Sequence, residues 1–234
     1  MPPDISLDGA CYARRHVYKH DFFAATGRYE GAGRQVIVKI GRREPFLGLP
    51  LHWIGKMLAQ HEAAQLQRLA DRPGVPALLG VSRGDALVHE FIPGHALQKG
   101  EPVDDAFFGH LADLLESMHV MGIAYVDLEK PQNILLGDDG MPYLIDFQIS
   151  WPWPIGSLAH GRVGRWLGRR LQEGDRYHLR KLQRRCRPDQ LSQQELEASY
   201  QRPWHVRFHR KLSAPLMHVR RWVLSRVDPK RGPG

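Results

Sequence analysis

Five polar side chains stand where an apolar pattern leaves them no ordinary place. In Val36-Ile37-Val38-Lys39-Ile40, strand alternation puts Ile37 and Lys39 on one face and Val36, Val38 and Ile40 on the other. A lysine there needs an anionic partner, unless it sits at a sheet edge and its ammonium snorkels to water. Glu62 falls in the row Leu51, Ile54, Leu58, Glu62, Leu66, each three or four residues from the last. A carboxylate on such a stripe is costly unless paired, although one at the margin would be solvated. Lys39 and Glu62 together explain both oddities. Asp127, Asn133 and Asp146 lie at the ends of apolar runs and add two carboxylates and an amide oxygen. Oxygens of this kind at the rim of a cleft are the hard ligands that Mg²⁺ prefers. A carboxylate not tied to metal could orient a hydroxyl and accept its proton.

These groups need elements to hold them. Ala24–Glu30 and Gln35–Ile40 read as strands joined by a hairpin turn at Gly31-Ala32-Gly33, which opens no helix and so is not a dinucleotide-binding turn. Leu51, Ile54, Leu58, Leu66 and Leu69 predict a helix, broken by Asp71-Arg72-Pro73-Gly74. Short strands follow at Leu78–Val81 and Ala86–Phe91, then a boundary at Pro93-Gly94. Asp104 to Met121 reads as a second helix with Phe107, Leu111, Leu114 and Met118 on one face, stopped by Gly122. Strand-like Asn133–Leu136 and Tyr143–Asp146 flank a turn at Asp138-Asp139-Gly140. Trp151-Pro152-Trp153-Pro154 breaks regularity, and the remainder is Arg-rich and helical in tendency. The expected division is 1–92, a strand-rich lobe with one helix; 93–150, the core of a helical lobe; and 151–234, a basic helical segment.

The stretch Met118-His119-Val120-Met121-Gly122-Ile123-Ala124-Tyr125-Val126-Asp127-Leu128, then Asn133-Ile134-Leu135-Leu136 and Leu144-Ile145-Asp146-Phe147, resembles the catalytic core of the protein-kinase-like superfamily. The likeness covers about residues 17–150 and implies an α+β, two-lobe fold: a small antiparallel-sheet lobe with one helix above a reduced helical lobe. It implies ATP and Mg²⁺ as cofactors and transfer of the γ-phosphate to a hydroxyl. Asp127 would be the catalytic base, with Lys39 on the phosphates and Glu62 steadying it. Asn133 and Asp146 would hold metal, and Glu90, Ile92 and Leu135 would bind the nucleotide, the first two through adenine hydrogen bonds. The sequence departs from that pattern in four places. Tyr125 replaces a histidine, Gln148 replaces the glycine after Asp146-Phe147, and Asp127 to Asn133 is one residue longer than usual. His20-Asp21-Phe22-Phe23 stands where a glycine-rich loop would cover the phosphates. The extra residue could bulge outward or displace Asn133. His119 is expected to be a packed structural histidine. A catalytically inactive binding module is the alternative, but decay would remove Lys39, Asp127 or Asp146, and all three are present.

Of 234 residues, 42% are hydrophobic and 25% charged, which argues against disorder. Two distant cysteines, Cys11 and Cys186, lean towards a reducing compartment. No run reaches the roughly 18 apolar residues of a spanning helix, and the acidic start shows no secretory signal. Charge is lopsided: 14 basic against 19 acidic residues in 1–150, then 19 against 6 in 151–234. A basic half implies an anionic partner. The 87 residues after Phe147 contain no Ala-Pro-Glu, which argues against an ordinary peptide kinase. The compact bacterial phosphotransferases, such as lipopolysaccharide-core heptose or Kdo kinases and small atypical serine/threonine kinases, fit better. A Ser213-Ala214-Pro215 cap and the row Leu216, Val219, Val223, Val227 add a basic amphipathic helix suited to an anionic glycolipid or membrane surface. The expected location is cytoplasmic, peripheral on the inner face of the membrane. Nucleic acid is disfavoured for want of a recognition motif, and the histidines lack zinc-ligand spacing.

Overall fold

The computed structural model describes residues 1–20, 24–41, 52–82, 86–152 and 161–201. Its first half is a six-stranded antiparallel sheet. The strands are β1 (Asp4–Leu7), β2 (Ala10–His20), β3 (Ala24–Gly31), β4 (Arg34–Gly41), β5 (Leu78–Ser82) and β6 (Ala86–Glu90), in the order β1-β2-β3-β4-β6-β5. The β3–β4 hairpin closes through Ala32 (φ 49°) and Gly33 (φ 74°). Two successive positive-φ residues match the right-handed strand twist, and the pairing of Gly31 with Arg34 follows from that turn. Strand β1, which the sequence reading lacks, and β2, of which only the stretch around His16–His20 reads as strand-like, extend the sheet towards the N-terminus. Val36, Val38 and Val88 pack with Leu7, Tyr12 and Tyr29 on one face of this sheet.

Helix α1 (His52–Arg68) lies against β4 and reaches Ile54, Leu58 and Leu66 as the spacing predicts. Leu51 lies outside the described residues, and Leu69 falls just beyond the helix end. The helix comes unusually near the strand: a Cβ on Gly41 would stand 2.8 Å from the backbone of Gly55. That glycine-to-glycine approach brings the helix close enough for a glutamate to meet a lysine on the neighbouring strand.

The second half is built on α2 (Phe107–Val120) and a three-stranded sheet of β7 (Gly94–Ala96), β8 (Ile134–Gly137) and β9 (Pro142–Leu144). Phe107, Leu111, Leu115 and Met118 of α2 form the main core with Leu128, Ile134, Leu144 and Phe147. At the end of α2 the Gly122 N–H donates to His119 O (2.9 Å) and Ile123 N–H to Met118 O (2.8 Å). Gly122, at φ 75°, is the left-handed residue that such a pair of bonds requires. The helix begins at Phe107 rather than Asp104 because the preceding residues form only a turn.

Two further helices, α3 (Arg162–Cys186) and α4 (Gln193–Tyr200), follow. Helix α3 is no detached tail. It packs on α2 and buries Asp175, Tyr177, His178 and Leu182. Several basic groups on it and just past its end have intramolecular partners: Arg176 with Glu116 (2.9 Å), Lys181 with Glu129 (3.0 Å), and, beyond the last turn, Arg187 with Asp105 (2.5 Å) and Asp189 (2.7 Å). The amphipathic row beginning at Leu216, and the segment Asp21-Phe22-Phe23, lie outside the described residues. The result is an α+β architecture with a curled antiparallel sheet above a helical half, as the sequence leads one to expect.

Candidate active site

Lys39 sits in β4 facing α1, buried, with its Nζ 2.5 Å from Glu62 Oε1 and 3.6 Å from Asp146 Oδ1. The two oddities of sequence therefore answer each other. Burial works against the lysine's charge, but the Glu62 and Asp146 carboxylates outweigh it and leave the pKa raised, so the ammonium persists. Burial pushes Glu62 up, and Lys39 opposes it. Glu62 Oε1 also accepts from Phe147 N (3.4 Å), which ties α1 to the chain around Asp146. His61, one residue earlier, fixes the same loop from the next position: its Nε2 lies 2.9 Å from Ser150 O. Burial lowers its pKa, so the ring is a neutral donor to that carbonyl.

Asp127 and Asn133 meet directly. Asn133 Nδ2 donates to Asp127 Oδ2 at 2.8 Å, and Lys130 Nζ stands 2.7 Å from the same oxygen. The extra residue in the loop therefore does not displace Asn133 from Asp127. Between them the chain makes two turns, one at Leu128–Glu129 closed by Lys130 N to Asp127 O (3.3 Å) and a 3-10 turn at Pro131–Asn133 with Pro131 at its first position. Burial raises the Asp127 pKa, while Lys130 and Asn133 act in the opposite direction. A carboxylate raised in this way is a stronger proton acceptor than an exposed one. Lys130 has no counterpart in the sequence reading, because a lysine in a polar loop looks like any solvated lysine.

The backbone is unusual just before Asp127 and at Asp146. Val126 and Asp146 have φ of 74° and 67°. For β-branched Val126 this is a strained region, costing on the order of 1–3 kcal/mol. Asp175 holds it there. Its buried carboxylate accepts from Tyr125 N and Val126 N, each at 2.8 Å, and from His119 Nε2 at 3.0 Å. The structural role expected of His119 is thus met by a partner 56 residues away. Tyr125, in place of a histidine, donates its hydroxyl to Ile145 O, with Asn133 O 3.3 Å from the same hydroxyl, and packs edge-to-face on Phe147 at 5.3 Å. It fastens the Asp127 loop to the Asp146 loop. Burial, reinforced by the surrounding carboxylates, keeps that hydroxyl well above its ordinary pKa and hence a donor.

The remaining sequence-predicted positions lie on β6, on its connection to β7 and on β8. Glu90 ends β6. Its N–H donates to Ala77 O (2.9 Å), and His89 Nδ1 lies 2.7 Å from its carbonyl oxygen. A carbonyl accepts two bonds, so one further donor can be received. Burial, with Lys39 nearby, lowers His89 to about 3, so the ring is neutral at any physiological pH. Ile92, half-buried in the connection to β7, makes no backbone hydrogen bond among the described residues. Leu135 pairs with Ala96 and Tyr143, on the opposite face from Ile134 and Leu136, which enter the core. Ile134, not Asn133, opens the strand.

Asp146 Oδ1 is buried and has no hydrogen-bond partner among the described residues. Lys39 Nζ, 3.6 Å away, offsets its charge but lies beyond hydrogen-bond distance, so the oxygen still lacks a donor among these residues. Asn133 is tied to the same segment, its backbone O accepting from Ile145 N (3.0 Å), and a carboxylate with an amide oxygen is a donor set that fits a hard divalent ion. No cluster of three His, Cys, Asp or Glu side chains is found among the described residues.

No family model matches the chain. A serine/threonine-protein kinase of Arabidopsis thaliana is 33% identical over 108 residues, covering 41% of this chain and 21% of its own length. Protein kinase PVPK-1 of Phaseolus vulgaris is 38% identical over 105 residues, covering 39% and 17%. The chain thus spans about a fifth of the length of these relatives. Among solved structures, the Rio2 kinase–ADP/Mg²⁺–phosphoaspartate complex from Chaetomium thermophilum superposes with a TM-score of 0.55 at 15% identity, over 77% of this chain and 58% of that one. The Rio2 kinase of the same organism also superposes with a TM-score of 0.55, at 16% identity, over 77% and 60%. The fold of this chain is protein-kinase-like.

Proposed function

We propose that the chain is an ATP- and Mg²⁺-dependent phosphotransferase. The observation that carries this reading is the convergence of Lys39, Glu62 and Asp146 beside the Asp127–Asn133 pair, with Asp146 Oδ1 buried and lacking a hydrogen-bond donor among the described residues. Lys39, held by Glu62, binds the phosphates of ATP. Asn133 and Asp146 would hold the divalent ion, whose positive charge neutralises the phosphate oxygens when it is bound. Asp127 orients the acceptor hydroxyl and takes its proton as the new oxygen–phosphorus bond forms and the bond from the γ-phosphorus to the ADP oxygen breaks. Lys130 offsets the negative charge gathered at Asp127. Position and charge, with little covalent work, account for the rate.

For the acceptor, we propose a hydroxyl of an anionic membrane glycolipid of the lipopolysaccharide-core kind, phosphorylated at the inner face of the membrane. The surplus of positive charge after residue 150 supports it. So do the exposed Val163, Trp166 and Leu167 on the Arg-rich start of α3. No described helix is long and apolar enough to cross a membrane, so contact would be peripheral. A protein serine or threonine is the second reading, favoured by the serine/threonine-kinase relatives. Incubation with γ-labelled ATP beside extracted glycolipid and a peptide library separates the two. Label in glycolipid is the expected result, label in peptides alone selects the second reading, and label in neither acceptor with no ATP turnover contradicts the enzymatic account.

A further inference from the structure

A cavity of about 510 Å³ opens where the C-terminal ends of α1 and α2 meet Trp151-Pro152 and the first half of α3. That size lies within the roughly 300–1,000 Å³ of small-ligand pockets. None of Lys39, Glu62, Asp127, Asn133 and Asp146 lines it, and among the described residues no carboxylate does. Three guanidinium groups do: Arg68 from α1, and Arg165 with Arg169, one helical turn apart on α3. Trp151, His119 and Gln172 complete the wall. The α3 backbone can approach the indole because residue 168 is glycine, where a Cβ would stand 2.9 Å from Trp151 Nε1.

Arg68 is fixed without being saturated. Its Nη2 donates to Met121 O at 3.1 Å and its Nη1 to Gln65 Oε1 at 3.4 Å, leaving other N–H donors of the five on a guanidinium. Three positive forks facing one concavity focus a positive potential and match the oxygen geometry of a phosphate group. The cavity also backs onto the catalytic loop. His119 is bonded to Asp175, and Trp151 pairs with Ala124 in both directions (3.0 and 2.8 Å), three residues before Asp127.

We infer that this cavity is a binding site for a phosphate-bearing ligand, distinct from the nucleotide cleft. The inference stands without the phosphotransferase reading. Two sources offer the same chemistry, a soluble phosphorylated compound and a phospholipid headgroup. Val163, Trp166 and Leu167, exposed on the same half of α3, would rest on a bilayer in the second case.

Calorimetric titration of the full chain with inorganic pyrophosphate tests it, using wild type, Arg169→Ala and Arg165→Ala. Both side chains are exposed, so the variants should keep the wild-type circular dichroism. One saturable site is expected, weakened about tenfold by each substitution, the equivalent of one charge-assisted hydrogen bond. No saturable binding, or an affinity unchanged in both variants, overturns the proposal. A second arm names the source. Flotation with vesicles containing phosphatidylglycerol, but not with pure phosphatidylcholine, that is competed by pyrophosphate and lost in Trp166→Ser/Leu167→Ser identifies a headgroup. Pyrophosphate binding with no flotation identifies a soluble ligand, and both results uphold the site.

Discussion

Asp127→Asn is expected to cut phosphoryl transfer by about a thousandfold, within the range for loss of a general base. Affinity for ATP should change by less than about threefold. The asparagine carbonyl can still accept from Asn133 Nδ2 and Lys130 Nζ, which now meet at Asp127 Oδ2. The loop should therefore keep its shape while losing its proton acceptor. Slow ATP hydrolysis, followed by phosphate release, provides the rate without knowledge of the acceptor. The wild-type rate should rise with pH as Asp127 loses its proton. Because burial raises that pKa, the rise should fall above the ordinary carboxylate range of about 4. The variant should show no such limb. A variant that retained the wild-type rate would leave Asp127 a structural residue and favour the binding-module alternative.

The second large effect is one of stability. Asp175→Ala removes the acceptor of three hydrogen bonds and leaves the N–H groups of Tyr125 and Val126 unsatisfied in the interior. A loss of about 3–5 kcal/mol is expected, the range for breaking a buried, charge-assisted network. For a chain of this size that corresponds to roughly 10 °C in melting temperature. Asp175→Asn, which keeps one carbonyl oxygen, should fall between. Rate measured below the melting transition should drop as well, because Val126 loses the bond that holds it at positive φ next to Asp127. A purely structural contribution would lower the melting temperature and leave the rate of the folded fraction intact.

Asp175 also shows where sequence reading stops. Lys39 and Glu62 were legible because each interrupts an apolar pattern, and a buried charge demands an answer. Asp127, Asn133 and Asp146 were legible because they close apolar runs in a familiar order. Asp175 lies among ten Arg and Lys residues spanning 162–187, and its partners include backbone N–H groups 50 and 49 residues earlier. No side-chain periodicity encodes such a contact. Helix α3 conceals its burial for a related reason. Part of its inward face is Gly164 and Gly168, so close approach takes the place of an apolar stripe, and the segment reads as a solvated tail. Strand β2 carries Arg14, Arg15, His16 and Lys19 without clean alternation, and β7 is three residues long. Both owe their form to pairing with neighbours rather than to their own composition.

The central claim is that an ammonium, an amide and carboxylates drawn from distant segments form one pocket that holds a triphosphate through a divalent ion. Asp146 is the member on which this depends most, being paired with Lys39 and carrying a buried oxygen that no hydrogen-bond donor among the described residues reaches. The direct measurement is ATP affinity with and without Mg²⁺ for wild type and Asp146→Ala. The account predicts that Mg²⁺ strengthens ATP binding at least tenfold in the wild type and has little effect in the variant. Equal Mg²⁺ enhancement in the two proteins would contradict it.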